Sequence, residues 1–237
     1  MKTNVIYYED CIENIPKRIP KESIDLVIAD PPFGIKFTGK GAQYNRKDEL
    51  VVAGYQEVTA RDYEAFSKAW IQAIFPVLKT TGSAYIFSGW NNLKAILQAI
   101  DDVGFITINH IIWKYQFGVF TKRKYVTSHY HILFVVKNSK KYYFNKIEHY
   151  PEDVWEIKRE YLPGEKKNST KLPDKLVEKI LLYSSKEGDL VLDPFLGNGT
   201  TAAACLKLNR HYIGFEINQH AKEVIDTRLA KMKENCL

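Results

Sequence analysis

Short apolar runs alternate with amphipathic stretches along the chain, the pattern of a mostly parallel sheet flanked by helices. The first clear strand is Asp25–Ala29, reading DLVIA. It runs into Asp30-Pro31-Pro32-Phe33, and two consecutive prolines cannot continue a buried strand, so the chain must turn out of the sheet. Residues 34–58 have no clean period and are rich in Gly, Lys and polar residues; they read as a long, mobile loop on the side of that turn. Thr59 and Asp62 resemble a capping box, and Phe66, Trp70, Ala73, Ile74 and Val77 then recur at helical spacing. Gly82 is read as the end of that unit, with Ala84–Phe87 as the next strand. Leu93–Ile100 reads as a helix, and Ile106–Trp113 and Ile132–Val136 as strands joined by a basic, aromatic loop. Residues 138–170 are polar and irregular, with Pro151, Pro163 and Gly164. After them come a helix over Pro173–Ser185, a strand Leu190–Asp193, a glycine turn, a helix from Thr200, a strand through Tyr212–Phe215 and a final amphipathic helix. No internal repeat interrupts this order.

Length supports one reading: 237 residues hold one sizeable α/β domain, and two would be crowded. The net charge of +6 favours a polyanionic partner. Its distribution sharpens that. Lys122, Arg123 and Lys124 form one cluster; Lys137, Lys140, Lys141 and Lys146 form another, interleaved with Tyr142, Tyr143 and Phe144. A solvated lysine face is the competing reading of both. Three widely spaced cysteines give neither a disulfide framework nor a zinc pattern. His129 and His131 would share one face of a strand with no third ligand evident, so no metal site is expected. With no signal-peptide pattern and no apolar run long enough to span a bilayer, the expected location is cytoplasmic, with no membrane partner.

Two segments carry chemistry. The first runs from Asp189 through Asp193-Pro194-Phe195-Leu196-Gly197-Asn198-Gly199-Thr200-Thr201, a strand, a tight glycine turn and a helix start. Glycines there let the backbone approach a ligand closely. A second strand ends at Glu216, where nucleotide-binding α/β folds place an acidic residue on ribose hydroxyls. The turn lacks the three spaced glycines of dinucleotide sites and the Gly-Lys-Ser/Thr of a P-loop, which argues against a pyrophosphate. Carboxylates beside a ribose site suit S-adenosylmethionine, with its sulfonium and ammonium charges.

The second segment is Asp30-Pro31-Pro32-Phe33. An exocyclic amine on adenine or cytosine is a poor nucleophile, because its lone pair is delocalised into the ring. Hydrogen-bond acceptors that draw the amine toward tetrahedral geometry restore it. Asp30 supplies one oxygen, the rigid turn presents a carbonyl (that of Pro31) as a second, and Phe33 can stack on a base drawn out of its helix.

Together, Asp30-Pro31-Pro32-Phe33 and the later Asp193-Pro194-Phe195-Leu196-Gly197-Asn198-Gly199-Thr200 resemble the β-class DNA amino-methyltransferases, in which the catalytic motif precedes the cofactor motif. Protein-glutamine and many RNA amino-methyltransferases have the reverse order. The resemblance implies a Rossmann-like methyltransferase fold over residues 1–237, with a mixed, mostly parallel seven-stranded sheet and helices on both faces. It implies that Asp30, Pro31, Pro32 and Phe33 hold the target base. Asp10, Cys11, Asp30, Thr170, Asp193, Phe195, Gly197, Asn198, Gly199, Thr200 and Glu216 are the expected cofactor residues. Asp10 and Cys11 enter through Tyr8-Glu9-Asp10-Cys11, which resembles the family's adenine-contacting segment. Ser88-Gly89, Ile112-Trp113-Lys114 and Thr127 to Lys137 resemble later stretches that shape the base pocket.

Departures are specific. Asn168-Ser169-Thr170-Lys171-Leu172-Pro173 stands where members often have His-Pro-Thr-Gln-Lys-Pro: Thr170 and Pro173 fit, while the family's His and Lys are absent, leaving Lys171 or Thr170 to substitute. Phe33 replaces the commoner Tyr, and Gln116 to Lys124 lacks the usual Asn-Pro. Residues 138–167 match the target-recognition region and are short, so a short recognition sequence is expected. Lys122, Arg123, Lys124, Lys140, Lys141 and Lys146 are the expected phosphate contacts. Asp at the first catalytic position favours adenine N6, since cytosine-N4 members more often have Ser. The expected partner is double-stranded DNA, with single-stranded DNA as the alternative; a homodimer and a restriction endonuclease acting on the same site are further partners of this class. Competing readings are a cytosine-N4 enzyme, an RNA adenine methyltransferase, and a non-catalytic nucleic-acid-binding subunit.

Overall fold

Why the central strands are apolar on both sides is visible in the packing. The computed structural model describes residues 1–34, 58–116, 118, 120–160 and 171–234. Its strands are β1 (Val5–Tyr7), β2 (Ile24–Ala29), β3 (Leu78–Ser88), β4 (Ile106–Lys114), β5 (His129–Val136), β6 (Val154–Glu156), β7 (Leu190–Asp193) and β8 (His211–Phe215). Its helices are α1 (Cys11–Arg18), α2 (Tyr63–Val77), α3 (Leu93–Val103), α4 (Asp174–Ser184), α5 (Thr200–Lys207) and α6 (Lys222–Glu234). The strands form one sheet in the order β1-β8-β7-β2-β3-β5-β4-β6. All run parallel except β5, which is antiparallel to β3 and β4.

Alternation along each strand feeds two cores. Leu26, Ile28, Tyr85, Phe87 and Val191 face α4, α5 and α6. Val27, Ala29, Ala84, Ile86 and Leu192 face the opposite layer, packed by Cys11 and Ile15 of α1, Trp70 and Ile74 of α2, and Ile96 and Ile100 of α3. Burying apolar side chains on both faces is the main stabilising term, and it also forces the strand ends to one common edge.

Three local expectations are corrected. Among the described residues the sheet has eight strands, not seven, because β6 pairs with β4 inside the stretch read as irregular. Three residues are too few for a period to show; only Trp155 is buried there. Gly82 does not end the helical unit. α2 passes into β3 at Leu78, and β3 runs through Gly82, where a Cβ would sit 2.6 Å from the carbonyl oxygen of Asp25; this glycine marks a close backbone approach. The N-cap of α2 is Asp62, not Thr59, and it makes no side-chain bond to the helix; instead the Thr59 hydroxyl donates to Asp62 Oδ2 at 2.6 Å, just ahead of Tyr63.

Candidate active site

The strand order creates the crevice. From β7 the chain goes through α5 to β8 on one side; from β2 it goes by way of α2 to β3 on the other. β7 and β2 are adjacent and parallel, so the helices diverge at their carboxyl ends and leave an opening there. Leu192 pairs with Val27, which brings Asp193 and Asp30 to the same edge.

One half of the opening is the glycine turn. Gly197 and Gly199 have φ of 56° and 73°, left-handed values that side chains resist. Leu196 N–H donates to the Phe215 carbonyl at 2.8 Å, tying the turn to β8. Asp193 accepts from the Phe195 N–H at 2.9 Å and from the Thr201 hydroxyl. Glu216 accepts from Gly197 N–H and Asn218 N–H, both at 2.7 Å, one on each oxygen. Each oxygen keeps a second lone pair, enough for a ribose hydroxyl. Above it, the buried Tyr8 hydroxyl has no partner among the described residues, and burial, then the charges of Asp226 and Glu216, push its pKa up to about 12.

The other half is the Asp30-Pro31-Pro32-Phe33 turn. Asn92 Nδ2 donates to the carbonyls of Phe33 and Gly34, at 2.7 and 3.2 Å. Phe33 meets Tyr130 edge-to-face at 5.1 Å, and a Cβ on Gly89 would come within 3.3 Å of its ring. Tyr130, Trp113 and Tyr115 form an aromatic wall beneath the guanidinium of Arg159. Asp30 keeps some surface open, yet desolvation, reinforced by the Asp193 charge, raises its pKa to about 7, with Arg159 pulling it back. Asp193 is likewise lifted to about 7, by burial above all and also by Glu216. Burial raises Glu216 too.

These carboxylates share one desolvated edge, where a cation would relieve them. That fits S-adenosylmethionine: Glu216 for the ribose, the Gly197–Gly199 turn for close backbone approach, and the Asp193–Asp30 side for the positive charges.

The structure brings Asp30, Pro31, Pro32, Phe33, Asp193, Gly197, Asn198, Gly199 and Glu216 to this edge. Several other expected cofactor residues have structural duties. Asp10 caps α1, accepting from Ile12 and Glu13 N–H at 2.7 and 3.2 Å. Cys11 is buried beneath it, its thiol pKa pushed up by desolvation and then by Asp10. Phe195 turns its ring onto Trp70 and Phe66, at 5.3 and 6.0 Å. Thr200 accepts from Arg228 Nη1 at 3.2 Å. Lys171 pairs with Glu160 and Asp174, at 2.9 and 3.3 Å. Thr170, residues 35–57 and residues 161–167 lie outside the described residues.

The two basic clusters separate. Lys122, Arg123 and Lys124 are exposed in the β4–β5 connection, which begins beside the paired Lys114 and His129 at the Asp30 edge. Lys140, Lys141 and Lys146 are exposed too, but follow β5 at the opposite edge, where Tyr143 N–H bonds the Thr81 carbonyl at 2.9 Å. The structure therefore does not bring that second cluster to the site. Its aromatics are packing residues: Tyr142 and Phe144 meet Phe134 at 5.6 and 6.0 Å. His129 and His131 do share a face, with ring centroids 5.2 Å apart. Among the described residues no group of three or more His, Cys, Asp or Glu could hold a metal, and no helix is long and apolar enough to cross a membrane.

Sequence reasoning missed Asn92 and Arg159, which no motif marks; Tyr130 lay within Thr127 to Lys137, the stretch expected to shape the base pocket, without being singled out.

A carboxylate beside a glycine turn, across a switch point from a second carboxylate at the head of an Asp-Pro-Pro turn, is a layout that suits an α/β methyltransferase. Comparison with known proteins agrees. The N6_N4 DNA methylase model matches residues 24–227. The chain belongs to that family. It is 32% identical to the Type II methyltransferase M.HinfI of Haemophilus influenzae, over 98% of this chain and 70% of that protein. It is 33% identical to the Type II methyltransferase M.HpaI of Haemophilus parainfluenzae, over 90% of this chain and 70% of that one. The crystal structure of the M1.HpyAVI–SAM complex superposes with a TM-score of 0.72 at 25% identity, covering 95% of this chain and 98% of that chain. The protein is thus a DNA methyltransferase that uses S-adenosylmethionine.

Proposed function

We propose that the protein methylates the exocyclic N6 of adenine within a short recognition sequence of double-stranded DNA. The observation that carries this reading is Asp30 at the head of a turn whose Phe33 faces Tyr130, across the crevice from Glu216. The family spans both N6 and N4 targets; Asp rather than Ser at the first catalytic position favours adenine. An extruded base stacks on Phe33. Asp30 accepts one amine hydrogen and the Pro31 carbonyl the other, which localises the lone pair on nitrogen. The bound cofactor supplies an electrophilic methyl carbon on sulfur. The nitrogen bonds that carbon as the carbon–sulfur bond breaks, and Asp30 takes the surplus proton, a role suited to a carboxylate with a pKa of about 7.

Lys122, Arg123 and Lys124, with the exposed Phe120 and Tyr125 beside them, lie where DNA would reach this edge and serve as its phosphate contacts. By analogy with relatives named Type II methyltransferases, a restriction endonuclease acting on the same site and a homodimer are the expected partners.

The test is transfer of labelled methyl from S-adenosylmethionine to unmethylated genomic DNA, followed by nucleoside analysis. N6-methyladenine supports the reading. N4-methylcytosine replaces the target base, and label in RNA alone overturns the DNA assignment.

A further inference from the structure

No motif contains Arg159, yet its position is held from both sides. Its N–H donates to Gln116 Oε1 at 2.7 Å, and its carbonyl accepts from Gln116 Nε2 at 3.0 Å, so one side chain substitutes for a strand partner. Just before it, Ile157 N–H bonds the Lys114 carbonyl at 3.1 Å, and Trp113 Nε1 donates to the Ile157 carbonyl at 2.8 Å. Just after it, Glu160 accepts from Asp174 N–H at 2.8 Å and from Lys171 at 2.9 Å, anchoring the segment to the start of α4.

The side chain so directed lies in a cage of rings. The guanidinium carbon is 4.2 Å from the Tyr115 ring centroid, 5.1 Å from that of Tyr130 and 5.7 Å from that of Trp113. Tyr130 is the ring that meets Phe33. Nε is buried and has no acceptor among the described residues. A buried donor left unpaired is costly, and an apolar side chain would pack these rings without that cost.

The charged groups that act on Asp30 are Asp193, from the end of β7, and Arg159, from the segment after β6; the phenols of Tyr115 and Tyr130 line the same wall. Asp193 and the loss of water both drive Asp30 toward its neutral form, and Arg159 alone of these opposes them. We propose that Arg159 is a positioning residue for methyl transfer: its guanidinium, locked over Tyr115 and Tyr130, supplies the fixed positive charge that opposes Asp193 and favours the Asp30 carboxylate while the target amine docks on it. This rests on the reading of Asp30 as the amine's acceptor. Neutral Asp30 would offer the amine a hydroxyl in place of one acceptor oxygen, and the lone pair would stay delocalised.

The test is the pH profile of kcat/KM for methyl transfer in Arg159→Gln and Arg159→Lys. In Arg159→Gln the acid limb should move to higher pH than in the parent, so that the ratio of variant to parent kcat/KM is lowest at acid pH and recovers toward pH 9. Arg159→Lys keeps a charge without the planar stack, so its acid limb should stay near that of the parent even if kcat falls. A loss of the same size at every pH, or equal displacement of the limb in both variants, overturns the proposal, because a merely structural role would not separate them. The carboxyl resonance of Asp30, assigned by its absence in Asp30→Asn and followed by carbon-13 NMR, gives a readout independent of turnover. It should titrate higher in Arg159→Gln than in the parent, and coincident midpoints overturn the proposal even if the chain methylates no DNA at all. Absence of methylation by the parent, with a displaced Asp30 midpoint, would instead sink the proposed function and leave the Arg159–Asp30 coupling standing.

Discussion

Replacing Asp30 by asparagine should stabilise the fold and abolish the chemistry, and the stabilisation should depend on pH. Desolvation, with the Asp193 charge, lifts the Asp30 pKa from its ordinary 3.8 to about 7 in the folded protein. The sign follows from proton counting. Between those values the folded chain binds more protons than the unfolded one, so stability falls as pH rises from about 4 to about 7 and is flat above. At ~1.4 kcal/mol per pH unit, this penalty reaches roughly 4 kcal/mol at pH 8 and is nearly absent at pH 4. An asparagine amide in the same recess carries no charge but loses about one hydrogen-bond equivalent, about 1 kcal/mol. The net gain at pH 8 is then about 3 kcal/mol, which for a chain of this size raises Tm by about 6–12 °C. Thermal unfolding followed by circular dichroism from pH 4 to 9 measures it directly. The two melting curves should nearly coincide at the acid end and separate steadily toward pH 8. A gap that is the same at both ends, or a variant less stable at pH 8, would refute the claim that an ionised Asp30 is a strained group. Methyl transfer by Asp30→Asn should meanwhile drop to background, since an amide oxygen is a weaker acceptor than a carboxylate and cannot take the surplus proton.

Other outcomes follow from the same geometry. Glu216→Ala removes the acceptor at the end of β8 and should weaken S-adenosylmethionine binding by about tenfold or more in a calorimetric titration; an unchanged Kd would take Glu216 out of the site. Gly199→Ala forces a side chain into φ of 73°, with its Cβ 3.1 Å from Ile225 Cγ2, and should cost about 1–3 kcal/mol in urea unfolding as well as cofactor affinity. Gly188→Ala is its control: φ is 81° and nothing lies within 4 Å of the added Cβ, so it should lose stability alone and keep cofactor affinity. Changing Lys122, Arg123 and Lys124 together to alanine should flatten the salt dependence of DNA affinity by up to about three in the log–log slope, whereas Lys140, Lys141 and Lys146, at the far edge, should change it little; equal slopes for the two triple variants would contradict the placement of DNA at the Asp30 edge.

Local pattern determined a great deal of this protein. Apolar runs ending in Asp-Pro-Pro-Phe and in Asp-Pro-Phe-Leu-Gly-Asn-Gly are self-contained signals, because a double proline and left-handed glycines impose their backbone wherever they occur. They announced β2, β7, the two turns and Glu216 without any knowledge of neighbours. Strand order was a different matter. That β7 lies beside β2, some 160 residues away, is what brings Asp193 to Asp30, and no local pattern encodes it. The same holds for residues whose role depends on what they touch. Asp10 and Thr200 sit within motifs, yet Asp10 Oδ1 also caps the first turn of α1 and the Thr200 hydroxyl also meets Arg228. Lys122 and Lys140 look alike in sequence, and only the direction of β5 sends them to opposite edges. Arg159 has no local signal, because its meaning lies in Gln116, Tyr115 and Tyr130, which pairing between β4, β5 and β6 assembles around it. Backbone chemistry is written residue by residue and can be read that way. Electrostatics and packing belong to residues distant in the chain, and only the folded sheet decides which of them meet.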